Sequence, residues 1–211
     1  MTVARFISLE GIEGAGKSTV ARLVQKWLAA RSISSVLTRE PGGTALAERV
    51  RQIVLEKGSE RLTAVPETLL MFAARGIHLE NLIRPALQRG EWVVCDRFTD
   101  ATRAYQGSGR GVDARLIEEL AQAVHEDLQP HCTLLLDLPV SEGLARARAR
   151  SGTAADRFEA EAEAFFERVR AGYLELARRE PRRIRVIDAG ASLASVESQV
   201  TKVLETLLVE V

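Results

Sequence analysis

The run Gly11-Ile12-Glu13-Gly14-Ala15-Gly16-Lys17-Ser18-Thr19 carries the most definite chemistry in the chain. It fits the pattern of a glycine, four variable positions and then Gly-Lys-Ser/Thr, which cradles phosphate groups. Its glycines allow a tight wrap whose backbone N–H groups turn inward toward phosphate oxygens. Lys17 supplies a point charge for the outer phosphates, and the Ser18 hydroxyl is placed to ligate Mg²⁺. A helix beginning here directs its positive dipole end at the same anion. The nine residues together predict a nucleoside triphosphate site.

Four further groups could act beside that loop. Trp92-Val93-Val94-Cys95 is an apolar run ending in Asp96, which suits the second Mg²⁺-organising element of a phosphate-loop fold. Arg97 follows and can reach the phosphates held there. Arg39 opens the turn-rich stretch Arg39-Glu40-Pro41-Gly42-Gly43-Thr44 and reads either as a phosphate contact or as an exposed loop arginine. Phe72 and Arg75 are three apart on a predicted helix and share a face, so a ring and a guanidinium could address a planar base. By pattern alone Phe72 also fits core packing. Residues 150–157 are small and polar, without periodicity, and begin and end with Arg150 and Arg157. They predict a mobile lid or, equally in keeping with their composition, an ordinary surface loop.

These groups need a scaffold that gathers them at one edge. Residues 3–9 read as a buried strand entering the glycine loop. Val20, Leu23, Val24, Trp27 and Leu28 then recur at helical spacing. Short strands are expected at 34–38, 91–96, 132–138 and 185–188. Helices are expected from Thr44, over 67–88 with Pro66 at its start, and over 113–128, 141–150, 159–179 and 193–208. Strands alternating with helices predict an α/β fold: a five-stranded parallel sheet with helices on both faces and ligands at the carboxyl ends of the strands. With 211 residues and no linker or internal repeat, residues 1–211 read as one domain.

Lys plus Arg and Asp plus Glu each total 29, so the formal net charge is zero, which argues against a nucleic-acid binder driven by charge. No apolar run approaches a membrane span, and the N-terminus enters a strand without a signal peptide, so a cytoplasmic protein with no membrane partner is expected. Cys95 and Cys132 sit in or beside apolar runs and read as buried reduced thiols. The three histidines (His78, His125, His131) show no metal-ligand spacing.

Taken in order, the motifs resemble the bacterial thymidylate kinase family over nearly the whole chain. The glycine loop is shared by many enzymes. The specific elements are Arg39-Glu40-Pro41-Gly42-Gly43-Thr44, Phe72-Ala73-Ala74-Arg75, Asp96-Arg97-Phe98, Ala104-Tyr105-Gln106-Gly107 with Gly109-Arg110-Gly111, and Asp156-Arg157-Phe158-Glu159. The resemblance implies a phosphate-loop NTPase fold with a short lid. It implies transfer of the γ-phosphoryl of ATP to the 5′-phosphate of dTMP, giving ADP and dTDP with Mg²⁺ in dTTP biosynthesis, and a homodimer. It further implies that Phe72 stacks on thymine, Arg75 and Thr102 contact its edge, Tyr105 crowds the sugar 2′ position and Glu13 accepts from the 3′-hydroxyl. Asp96 and Arg97 organise Mg²⁺ and the acceptor phosphate. Gly14 and Ala15 follow Glu13 where related kinases place a loop arginine, so Arg150 and Arg157 are the candidates for stabilising the transferred group. The lid is somewhat longer than in common bacterial forms. Ile77, Ala101 and Arg103 stand where many relatives carry other side chains. Another nucleoside monophosphate kinase, or a nucleotide-dependent switch, shares the glycine loop and is the competing expectation.

Overall fold

The computed structural model describes residues 3–56, 61–126, 128–151 and 159–209. Five strands, β1 (Phe6–Glu10), β2 (Ser35–Arg39), β3 (Trp92–Asp96), β4 (Cys132–Asp137) and β5 (Ile184–Asp188), form one parallel sheet in the order β2-β3-β1-β4-β5. Between them run α1 (Lys17–Ala29), α2 (Ala45–Leu55), α3 (Ala64–His78), α4 (Arg84–Gln88), α5 (Thr99–Thr102), α6 (Ala114–His125), α7 (Val140–Ser151), α8 (Glu159–Arg179) and α9 (Leu193–Val209).

Alternation along the central strands explains why helices cover both faces. Ile7, Leu9, Trp92 and Val94 face a core shared with Val20, Val24 and Leu28 of α1 and with Val196, Val200 and Leu204 of α9. Phe6, Val93 and Cys95 face the opposite layer with Leu79, Ile83 and Ala86. Every residue of β1 is buried, as a parallel strand covered on both sides requires.

Register brings the chemistry to one edge. Leu9 pairs with Asp96, and Asp96 pairs with Arg39, so the glycine loop, the strand-end carboxylate and the Arg39–Thr44 turn emerge side by side. The topological switch lies where β1 sits between β3 and β4, directly below the loop.

Some expectations about element boundaries change. The first strand begins at Phe6, where pairing with Val93 starts, whereas Val3 is exposed. The helix expected over 67–88 begins earlier, at Ala64 after Thr63, and is interrupted by a π-helical turn, Leu79–Ile83. Pro85 lacks an N–H and its ring crowds the preceding turn, which accounts for the wider coil just before it. Residues 98–111 hold α5 and a second π-helical segment, Arg103–Gly109, which presents Tyr105 and Gln106. Among the described residues no helix is long and apolar enough to cross a membrane. Cys95 and Cys132 are buried and not joined in a disulfide.

Candidate active site

The glycine loop leaves β1 with Gly11, Gly14 and Gly16 at φ of 136°, 76° and 91°, a region closed to most L side chains. Gly16 is the N-cap of α1, so that helix begins at the loop. The loop is also pinned from behind. A Cβ on Gly14 would lie 2.1 Å from the Gly143 carbonyl oxygen, and one on Gly143 would lie 2.6 Å from that of Glu13. The start of α7 and the loop therefore touch backbone to backbone.

Lys17 Nζ donates to the carbonyls of Gly11 and Ile12, each at 3.0 Å, folding back over the cradle. Burial, with the positive Arg97 nearby, pushes its pKa down to about 7. Phosphate oxygens arriving there would restore the proton. Triphosphate binding at pH 8 should thus take up close to one proton per site, and affinity should decline as pH rises above 7. Titration calorimetry in two buffers of different ionisation enthalpy checks this: the apparent heat should differ between buffers at pH 8 and converge near pH 6.

Asp96 and Ser18 line one cavity of about 330 Å³, together with Arg39 and Arg22. Asp96 Oδ1 is buried without a hydrogen-bond partner among the described residues. An uncompensated carboxylate oxygen sharing a cavity with a hydroxyl-bearing residue suits a hard cation with oxygen ligands, so these residues fit Mg²⁺. Arg39 pairs with Glu48 at 3.0 Å and stays exposed on this side.

A second cavity of about 220 Å³ adjoins the loop, with Glu13, Arg75, Arg97, Thr102 and Tyr105 in its wall. Arg97 holds a left-handed backbone (φ 74°), unusual for a side chain of its size. Its own N–H donates to Leu9 O at 2.9 Å, and the next N–H, of Phe98, donates to Glu10 Oε1 at 2.7 Å. The Arg97 guanidinium donates to the Tyr105 hydroxyl at 2.8 Å and lies 4.4 Å above its ring. Glu10 is fully buried and also accepts from the Tyr173 hydroxyl at 2.7 Å. Burial, reinforced by the Asp100 charge, pushes its pKa up to about 8.

At the far end, Arg75 is bound on two sides. Its Nε donates to Glu40 Oε2 at 2.7 Å and its Nη2 to Thr102 Oγ1 at 3.0 Å. Nη1 is buried with no partner among the described residues. Gln106 Nε2 donates to Glu67 at 2.9 Å, which leaves the Gln106 carbonyl free to accept. The cavity wall thus combines the Arg97 cation with a donor on Arg75 and an acceptor on Gln106.

The family model described as thymidylate kinase matches residues 9–200. The chain belongs to the thymidylate kinase family. It is 55% identical to the thymidylate kinase of Alkalilimnicola ehrlichii, covering 93% of this chain and 90% of that one. With that of Methylococcus capsulatus it shares 54% identity over 99% and 98%. A crystal structure of thymidylate kinase from Ehrlichia chaffeensis superposes with a TM-score of 0.75 at 35% identity, covering 95% of this chain and 98% of that one.

Within this thymidylate kinase fold, Glu13, Arg75, Arg97, Thr102 and Tyr105 share one cavity, while Ser18, Asp96 and Arg39 share the next. Phe72 is 1% exposed and packs among Val112, Ile117 and Ala121, behind the cavity wall. Its ring lies 4.7 Å from the Arg75 guanidinium. Arg150 ends up near the last residue of α7 and is described by its backbone only. Arg157, with most of the 150–157 segment, lies outside the described residues. Sequence reasoning missed Arg51, Phe98 and Gln106 as cavity residues. A signal for Arg51 existed: it follows Thr44, Ala47 and Glu48 at helical spacing, so it shares the face of α2 that carries the turn. Arg103 bonds Asp100 and Glu118, and Ala101 lines the cavity.

Proposed function

We propose that this protein phosphorylates dTMP to dTDP with ATP, as an ATP-dependent nucleoside monophosphate kinase. The observation that carries the reading is the cavity beside the glycine loop. Arg75 Nη1 is a buried donor without a partner, and Gln106 keeps a free carbonyl. Thymine presents a carbonyl and an N–H on adjacent edge positions, which this pair complements, whereas cytosine presents an amine and a bare ring nitrogen there.

ATP sits with its phosphates in residues Gly11 to Thr19, held by backbone N–H groups, Lys17 and the start of α1. The 5′-phosphate of dTMP meets Arg97, with Arg51 in the same wall and Arg39 across the metal side. Glu13 accepts from the sugar 3′-hydroxyl, Tyr105 fills the space a 2′-hydroxyl would need, and Thr102 supports the base end. Phe72 belongs to the base subsite through its contact with the Arg75 guanidinium. Stacking on thymine would require that ring face to be uncovered. Mg²⁺ would be held by Ser18 and Asp96, where it would supply positive charge against the phosphates.

The chain's own residues perform positioning and charge stabilisation. Lys17 and Arg97 fix donor and acceptor phosphates facing one another, and negative charge growing on the transferred group meets fixed cations. The acceptor is already an ionised phosphate at neutral pH, so no side chain must remove a proton. We assign Arg150 and Arg157 to the same task from the lid. Arg150→Ala should lower kcat about 100-fold while changing the dTMP KM less than threefold, the pattern of a contact made only in the transition state. Steady-state kinetics in both substrates checks this, and an unchanged kcat removes Arg150 from the role.

The whole of residues 1–211 acts as one kinase domain. Two buried thiols that are not joined in a disulfide suit a reducing cytoplasm. A homodimer is favoured by an apolar face on two packed helices: Leu46 and Ile53 on α2, and Val65 and Leu69 on α3, are each about half exposed. The function is tested by comparing dTMP, dUMP, dCMP and AMP as acceptors at equal concentration. dTMP should give the highest kcat/KM. ADP release that ignores the added monophosphate would instead mark a hydrolytic switch.

A further inference from the structure

Behind Arg75, at the base end of the cavity, lies a buried polar chain of Glu40, His78 and Thr38. Glu40 is the only partner the structure gives to Arg75 Nε among the described residues, and Glu40 itself is held from the other side by His78. His78 Nδ1 lies 3.0 Å from Glu40 Oε1, and its Nε2 lies 2.8 Å from Thr38 Oγ1. A carboxylate offers only lone pairs, so Nδ1 carries a proton and donates to Glu40, while Nε2 shares a hydrogen bond with the Thr38 hydroxyl. All four residues are buried; His78 is 0% exposed. Gly43 roofs the histidine so closely that a Cβ there would fall 2.5 Å from both His78 Nε2 and Thr38 Oγ1.

The chain is stiff because its members come from different elements. Thr38 lies in β2, Glu40 in the turn after it, and Arg75 and His78 on one face of α3's last turn. The Glu40 N–H is also fixed, donating to Asp96 O at 2.9 Å. Cys95 lies close enough that its sulfur and atoms of Glu40 and His78 fall within 4.8 Å of one another. That trio does not read as a metal site. Glu40 uses both oxygens on His78 and Arg75, and the Cys95 thiol donates to Arg97 O at 3.0 Å.

We propose that His78, acting through Glu40, is a positioning residue that aims Arg75 and thereby sets discrimination between a pyrimidine with a carbonyl at position 4 and one with an amine there. An arginine has five donors and a flexible stem, and selectivity follows only if its free N–H is held at one point. Two of its three nitrogens are tethered, to Glu40 and Thr102, and the tether through Glu40 depends on His78. This inference rests on the dTMP reading above.

The test uses dTMP, dUMP and dCMP with the full-length protein and three variants. dUMP shares the 4-carbonyl with dTMP and differs at the methyl group, so it is an internal control. His78→Leu removes both hydrogen bonds. It should lower the dTMP-to-dCMP ratio of kcat/KM about tenfold, leave the dTMP-to-dUMP ratio within twofold, and act through the KM for dTMP with the ATP KM unchanged. His78→Asn keeps a donor where Nδ1 stood and should restore most of the ratio. Thr38→Val, which loses only the hydroxyl, should shift it in the same direction by less and serves if His78→Leu does not fold. The proposal is overturned by an unchanged dTMP-to-dCMP ratio in a folded variant. It is equally overturned if all three acceptors and ATP lose activity in parallel, or if purified protein retains about one zinc per chain. A parent enzyme with no preference for dTMP over dCMP would sink the functional reading itself, before any variant is made.

Discussion

Arg97→Met should lower kcat/KM for dTMP by about 10³-fold while the protein stays folded. The half-buried side chain lies over the Tyr105 ring, reaches the hydroxyls of Tyr105 and Tyr173, and lines the same cavity as Glu13. A charge-assisted contact to a phosphate in a water-poor site contributes on the order of 3–5 kcal/mol when lost, which corresponds to 10²–10⁴ in rate. Its left-handed backbone carries strain of about 1–2 kcal/mol, and the bonds from Arg97 N to Leu9 O and from Phe98 N to Glu10 offset it. Those bonds do not involve the guanidinium, so the methionine variant should keep the turn. Arg97→Lys keeps the charge and loses the fork, and an intermediate loss of about 10²-fold is expected. Steady-state kinetics with a thermal melt on each variant checks both. A loss below tenfold in Arg97→Met would show that the acceptor phosphate is held elsewhere.

Gly143→Ala should cut kcat about 100-fold although position 143 faces no substrate. The new Cβ would sit 2.6 Å from the Glu13 carbonyl oxygen and 2.8 Å from Ile12 Cδ1. The first is a backbone atom and cannot swing aside, so either the glycine loop or α7 must move. A displacement near 1 Å in a positioned group costs on the order of 10² in rate. Alanine is meanwhile the better helix former by about 1 kcal/mol, so part of the packing strain is offset. The expected signature is therefore a small change in melting temperature beside a large drop in kcat and a raised ATP KM. Loss of stability with normal kinetics in the surviving fraction would contradict it.

How much of this was legible beforehand depended on how local each signal is. The glycine loop was readable because its chemistry lies in consecutive residues, and the sheet because buried parallel strands are nearly continuous apolar runs. Asp96 could be picked out as the polar end of such a run, and the structure sets it beside Ser18. Interruptions were harder: the π-turn at Leu79–Ile83 does not alter the apolar spacing, and only Pro85 hinted at it. The base end was least legible. Glu40 reaches Arg75 across 35 positions and His78 across 38, and no periodicity links residues brought together by a sheet edge and a helix end. Phe72 fitted both a core position and a base platform in sequence, and its 1% exposure beside the Arg75 guanidinium shows why pattern alone left both open. Glu10 gave no signal either, since a buried carboxylate at a strand end looks like any other until Tyr173, 163 residues away, is seen to donate to it.

The most direct test follows the phosphorus atom. ATP labelled in its γ-phosphoryl group is mixed with dTMP, Mg²⁺ and the pure protein, and the products are separated. One label should appear in dTDP, on its outer phosphate, for each ADP formed, with little free phosphate and none on the protein. Label released as inorganic phosphate, retained on the chain, or left in ATP when dTMP is present would contradict direct transfer between two nucleotides held end to end.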